Sequence, residues 1–145
     1  MSDVRDQGPR EPENVDPSIR ERQTRLPHAP RAAGEGRRAV ADLLGSCAIS
    51  ADDCATAILL TSELVTNAIQ HTAPRGDLLL TARVEAGVLR VEVRDADAAP
   101  PRLREADPDA ESGRGMVLLA ALAKEWGVRR PGRGAGKTVW FTLAL

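Results

Sequence analysis

Residues 62–72 read Ser-Glu-Leu-Val-Thr-Asn-Ala-Ile-Gln-His-Thr, and the spacing of polar and apolar side chains in this stretch decides the fold. At about 100° per residue, Glu63, Asn67, Gln70 and His71 share one narrow stripe of a helix. Ala57, Ile58, Leu60, Leu64, Val65, Ala68 and Ile69 cover a broad arc elsewhere. A helix with that much apolar surface is predicted to be largely buried. A carboxylate, an amide and an imidazole set beside it are costly to desolvate unless something polar fills the space above them. The stripe therefore reads as one wall of a binding site.

Working outward, Ser50 with Asp53 three positions on forms a capping pattern for the start of this helix. Ala73, Pro74, Arg75 and Gly76 mark its stop just beyond His71. Upstream, residues 31–44 carry Ala33, Arg37, Val40, Ala41 and Leu44 at helical spacing and end near Gly45. Residues 23–30 allow a short extended piece limited by Pro27 and Pro30, with His28 as a solvated loop residue. Residues 1–22 are charged and proline-rich with hardly an apolar side chain, which predicts a disordered N-terminal tail ahead of a domain spanning 23–145.

Downstream the period changes to two. Leu78, Leu80, Ala82 and Val84 alternate with Leu79, Thr81 and Arg83, residues 85–87 turn the chain, and the alternation resumes over 88–95, predicting a hairpin. In the second strand Leu89, Val91 and Val93 share a face, and continuing the count places Asp95 on that apolar side. A carboxylate there needs a specific partner. Residues 96–112 contain Pro100, Pro101 and Pro108 and no clear period, as expected of a functional or mobile loop. Gly113, Arg114 and Gly115 then lead into a helix predicted over 116–124, and residues 126–130 and 137–145 pair as a terminal hairpin around 131–136. The order helix, helix, hairpin, loop, helix, hairpin predicts an α+β two-layer sandwich, with helices on one face of a mixed, mainly antiparallel sheet.

Composition narrows the function classes. A net charge of −1 with interspersed acids and bases leaves no basic footprint for direct nucleic-acid binding, and 2% aromatics with no Tyr argues against base-stacking platforms. No apolar run reaches the roughly 20 residues of a membrane span, and Met1 is followed by polar, charged residues rather than a signal peptide. Cys47 and Cys54 lack metal-ligand company and read as small buried thiols. A cytoplasmic setting is the expectation. The glycine-rich run 131–138 ends in Gly136-Lys137-Thr138, yet a phosphate-binding loop of that type needs glycine where Pro131 stands and a helix where 139–145 alternate as a strand. It reads as a hairpin loop.

Taken in order, an acid and an amide one helical turn apart, a strand ending in Asp, a long loop, Gly-x-Gly opening a helix and Gly-Lys-Thr entering a strand resemble the GHKL ATPases. Within that family, the chain resembles the short bacterial anti-sigma-factor serine kinases of the RsbW-like group and their single-domain actinobacterial relatives. The resemblance spans roughly 26–145 and implies the GHKL ATP-binding fold. Glu63 to His71 looks like the family's N box, Asp95 like the aspartate of its first glycine box, Gly113-Arg114-Gly115-Met116 like the second, and the run from Gly136 through Thr138 to Phe141 like the last. The chain departs from the family after Asp95, where Ala96, Asp97, Ala98 and Ala99 stand in place of frequent glycines.

The resemblance implies ATP and Mg²⁺ as cofactors, with Asn67 as the metal ligand and Glu63 as the general base. Asp95 would accept from the adenine amine, and Gly113 and Gly115 would hinge a lid that also carries Arg114 and Met116. His71 would lie at the nucleotide, and Thr138 near the adenine-side hydrogen bonds. Arg102, Arg104 and Arg114 are candidates to neutralise phosphate. The implied function is a serine/threonine protein kinase that phosphorylates a small antagonist protein and sequesters a sigma factor. The alternative is a non-catalytic, ATP-dependent docking module. Histidine kinases share the nucleotide fold, but no helical phosphoacceptor segment is expected ahead of residue 23. A homodimer through a sheet edge or through the helix at 31–44 is also compatible with the pattern.

Overall fold

The computed structural model describes residues 18–71, 76–95, 111–130 and 136–145, the side chains of 111–116 excepted. Among the described residues, five strands and three helices follow in the order β1 (Arg20–Leu26), α1 (Ala32–Gly45), α2 (Ala51–His71), β2 (Leu78–Glu85), β3 (Val88–Arg94), α3 (Glu111–Leu122), β4 (Glu125–Arg129) and β5 (Thr138–Ala144). The strands form one sheet in the order β1-β2-β3-β5-β4, and all four pairings are antiparallel. The α+β architecture is the expected one, realised with antiparallel neighbours throughout the described strands.

Alternation along the strands separates the two faces of the sheet. Leu78, Leu80 and Ala82 of β2, Leu89, Val91 and Val93 of β3, and Val139 and Phe141 of β5 are buried in one cluster with Val40, Leu44, Leu60, Leu64, Val65 and Leu119 from the helices. α1 packs over β1 and β2, α2 over β3 and β5, and α3 over β4. The helices thus cover one face in the order α1, α2, α3. The other face is polar, with Arg90 seated 4.3 Å from the Trp140 ring centroid and bonded to Glu92 at 2.8 Å.

Helix α2 begins as its capping pattern requires: the Asp53 amide donates to Ser50 Oγ at 3.1 Å. The hairpin turn falls on Ala86 and Gly87, with φ values of 50° and 74°. Two consecutive positive φ angles define the two-residue turn whose twist matches that of the flanking strands. Ala86 carries a side chain in a conformation that favours Gly, Asn or Asp. Ala86→Asn is therefore expected to stabilise the domain by up to about 1 kcal/mol. The check is urea unfolding, with a higher midpoint at unchanged slope.

Two boundaries differ from expectation. β1 starts at Arg20, inside the segment predicted to be a tail, because Arg20, Glu21 and Arg22 pair through their backbones with Val84, Arg83 and Ala82. An edge strand held by main-chain bonds does not need apolar side chains along its length. α3 starts at Glu111 rather than at Met116, so Gly113 and Gly115 lie in its first turns instead of preceding it. The expected loop over 96–112 lies outside the described residues except for its last two, which are helical, and the predicted tail lies outside them up to residue 17. Among the described residues no helix is long and apolar enough to cross a membrane.

Candidate functional site

The orientation of α2 follows from what its flanks touch. Arg37 on α1 donates to Ser62 Oγ at 2.9 Å, and a Cβ placed on Gly36 of α1 would stand 3.1 Å from Val65 Cγ2. Ser62 and Val65 therefore face α1. At 3.6 residues per turn, Asn67 lies about 140° from Ser62 and about 200° from Val65, on the opposite flank. Glu63, one turn earlier, shares that flank. Since the layer runs α1, α2, α3, the Glu63–Asn67 stripe faces the side of α2 against which α3 packs. Both side chains are half-buried, while Gln70 and His71 are exposed.

The same contacts fix the level of the stripe along the sheet. The point 3.1 Å from Val65 is also 3.4 Å from Leu80 Cδ1 and 3.5 Å from Leu26 Cδ1. The C-terminal third of α2, with Asn67 and His71, thus sits over the end of the sheet where Leu26 pairs with Leu78, Leu79 with Arg94 and Arg94 with Thr138. Asp95 closes β3 at that same end. The C-terminus of α3 is tied to the far end by Lys124 N–H donating to the Thr142 carbonyl at 2.7 Å, and only two residues separate it from β4. At about 1.5 Å per residue its 12 residues span about 18 Å.

Asp95 is 4% exposed, so its carboxylate is a buried acceptor and requires donors. The Asp95 amide donates to the Lys137 carbonyl at 3.1 Å, and the Lys137 amide donates back to Asp95 Oδ1 at 3.2 Å. The Lys137 amide is thus one of the donors that this buried carboxylate requires. Gly136 makes this approach possible. A Cβ there would overlap the Asp95 carbonyl oxygen and stand 2.8 Å from Oδ1. Gly136→Ala is therefore expected to destabilise the domain by about 1–3 kcal/mol, read as a lower urea midpoint.

The structure thus carries Asn67 and His71 toward the end of the sheet that Asp95 closes, on its helix-bearing face, with Glu63 one turn earlier on the same stripe of α2. It does not bring Thr138 to them. Thr138 pairs with Arg94 and is buried on the opposite face of the sheet, because a residue neighbouring a strand position points the other way. Its place beside Asp95 is taken by the Lys137 backbone. Arg114 and Met116 lie on the first turns of α3 with side chains outside the described set, and Arg102 and Arg104 lie outside the described residues. Gly136 and Lys137, legible in the sequence only as part of the last family motif, act here through their backbone against Asp95.

Among the described residues no cluster of three His, Cys, Asp or Glu side chains is placed to hold a metal. Asn67 offers a hard amide oxygen on the α2 stripe. That donor set fits a cation that keeps most of its ligands as water and phosphate oxygens, the habit of Mg²⁺.

A profile of the histidine kinase-like ATPase domain matches residues 26–143. Among solved structures, the chain is similar to the histidine kinase domain of the blue-light activated histidine kinase from Erythrobacter litoralis EL346. The TM-score is 0.53 at 24% identity, over 79% of this chain and 59% of that one. The likeness supports the fold, and the chain spans well under two thirds of that structure's length. No curated protein sequence matches the chain.

Proposed function

Since the chain belongs to the histidine kinase-like ATPase family, we propose that it is a regulatory serine/threonine protein kinase of the anti-sigma-factor type. In this reading it binds ATP with Mg²⁺, phosphorylates a small antagonist protein and sequesters a sigma factor. The observation that carries the proposal is the convergence of the Glu63–Asn67 stripe of α2 and the buried Asp95 on one end of the sheet.

Each residue has a role suited to its chemistry. Asp95, held by the Lys137 amide, accepts from the exocyclic amine of adenine and orients the base. Asn67 presents an amide oxygen to the metal, and His71 lies beyond it at the exposed end of α2. Mg²⁺ and ATP, when bound, supply the phosphoryl group and neutralise its charge. Glu63, half-buried one turn before Asn67, takes the proton of the attacking serine or threonine hydroxyl. The first turns of α3 contain Gly113 and Gly115, which cost about 1 kcal/mol each in a helix relative to Ala. That weakness favours local rearrangement of this turn over the phosphates.

Incubation with γ-labelled ATP and a candidate small antagonist separates this reading from docking alone. The kinase reading expects label on a serine or threonine of the antagonist. ATP-dependent association without label supports the docking module instead.

A further inference from the structure

We propose that the side chain of Lys137 reads the base: its ammonium donates to a ring nitrogen of adenine adjoining the exocyclic amine from which Asp95 accepts. The inference rests on the nucleotide-site reading above and adds a second point of contact to it. The pairing of β3 with β5 fixes where this side chain starts. Arg94 pairs with Thr138, and the antiparallel register carried one residue further sets Asp95 directly opposite Lys137. Two bonds hold that pair, the Asp95 amide to the Lys137 carbonyl at 3.1 Å and the Lys137 amide to Asp95 Oδ1 at 3.2 Å. In a regular antiparallel ladder the second bond goes to a main-chain carbonyl. Here the carboxylate takes it, so the acid is clamped to the backbone of Lys137.

Alternation sets the side. Val93 and Val139 are buried in the core under the helices, and Arg94 and Thr138 take the other face. Asp95 and Lys137, one place further on, return to the helix-bearing face. Side chains directly opposite each other on neighbouring strands start about 5 Å apart at Cβ. The stem of Lys137 therefore leaves the backbone alongside the Asp95 carboxylate, and Lys137 is half-buried there.

Among the described residues the Lys137 ammonium forms no ion pair, with Asp95 or with any other acid. An ammonium on a flexible stem brings three donors and no acceptor. Next to an acid that accepts from an amine, it completes an acceptor and a donor side by side. Adenine presents the matching pattern, an amino group flanked on either side by a ring nitrogen that accepts. The phosphates lie at the opposite end of the nucleotide from that amine. A side chain rooted directly across from Asp95 thus meets the edge of the base before it can meet a phosphate.

The test compares the full-length wild type with Lys137→Met, which removes the ammonium and keeps both main-chain bonds to Asp95; circular dichroism checks that the variant is folded. Each is titrated with ATP, 1-deaza-ATP and 7-deaza-ATP, and with adenosine by competition. The expected result is that Lys137→Met weakens ATP and adenosine by the same factor, about ten- to hundredfold, as for a hydrogen bond from a charged donor. One deaza analogue, the one lacking the contacted nitrogen, should bind the wild type weakly and be indifferent to Lys137→Met, while the other follows ATP. Unchanged ATP affinity in the variant would overturn the proposal. So would a loss seen with ATP and not with adenosine, which would move Lys137 to the phosphates, or a response of both analogues equal to that of ATP. A wild type that binds no adenine nucleotide would overturn the site reading itself and this inference with it, whereas ATP binding indifferent to Lys137→Met overturns this inference alone.

Discussion

Replacing Glu63 by alanine is expected to slow phosphoryl transfer by about 10²–10⁴-fold while leaving ATP affinity nearly unchanged. The split between rate and affinity is the informative part. Glu63 sits half-buried on the α2 flank that faces away from α1, one turn before Asn67, and in the proposed reading its carboxylate meets the attacking hydroxyl rather than the base. Its loss removes a proton acceptor and no nucleotide contact. Single-turnover phosphorylation of the antagonist, read beside an ATP titration of the same variant, gives both numbers. Equal rates for wild type and Glu63→Ala would remove the residue from catalysis, and a parallel loss of affinity would make it a binding group.

Asp95→Ala should have the converse signature, weakening adenine nucleotide binding about ten- to hundredfold. A hydrogen bond to a charged group contributes roughly 1.5–3 kcal/mol, which corresponds to that range. The loss should be specific to the base: GTP, which lacks the exocyclic amine at that position, should respond far less. Competition titrations of ATP and GTP against wild type and Asp95→Ala measure the difference. Unchanged ATP affinity in the variant would end the assignment of Asp95 to adenine.

Much of this arrangement was legible in the sequence because it rests on local periodicity. The stripe and apolar arc of α2 specify its buried face within a single element, the Ser50 cap and His71 end bound it, and alternation over 78–95 defines the hairpin and puts Asp95 on the core side. The parts that failed depend on partners far away in the chain. Thr138 was matched by its proximity to Gly136, whereas its face is set by pairing with Arg94, more than forty residues earlier. Gly113 and Gly115 suggested a linker because glycine disfavours helix. The apolar run that follows them, anchored by the buried Leu119, makes α3 a packed element, and α3 itself begins ahead of both glycines at Glu111. Arg20 to Arg22 offered no apolar signal, since β1 is joined to β2 by backbone bonds. The close approach of Gly136 to Asp95 is likewise a contact between β3 and the start of β5, invisible to any window that holds only one of them.

The central claim is that the α2 stripe and Asp95 wall a single nucleotide site. Calorimetric titration of ATP into the full chain, with Mg²⁺ and then with the metal chelated, tests it most directly. The account predicts one saturable site whose affinity falls when Mg²⁺ is removed and falls again in the Asn67→Ala variant only while Mg²⁺ is present. An absence of ATP binding, or binding that is indifferent to both Mg²⁺ and Asn67, would contradict it.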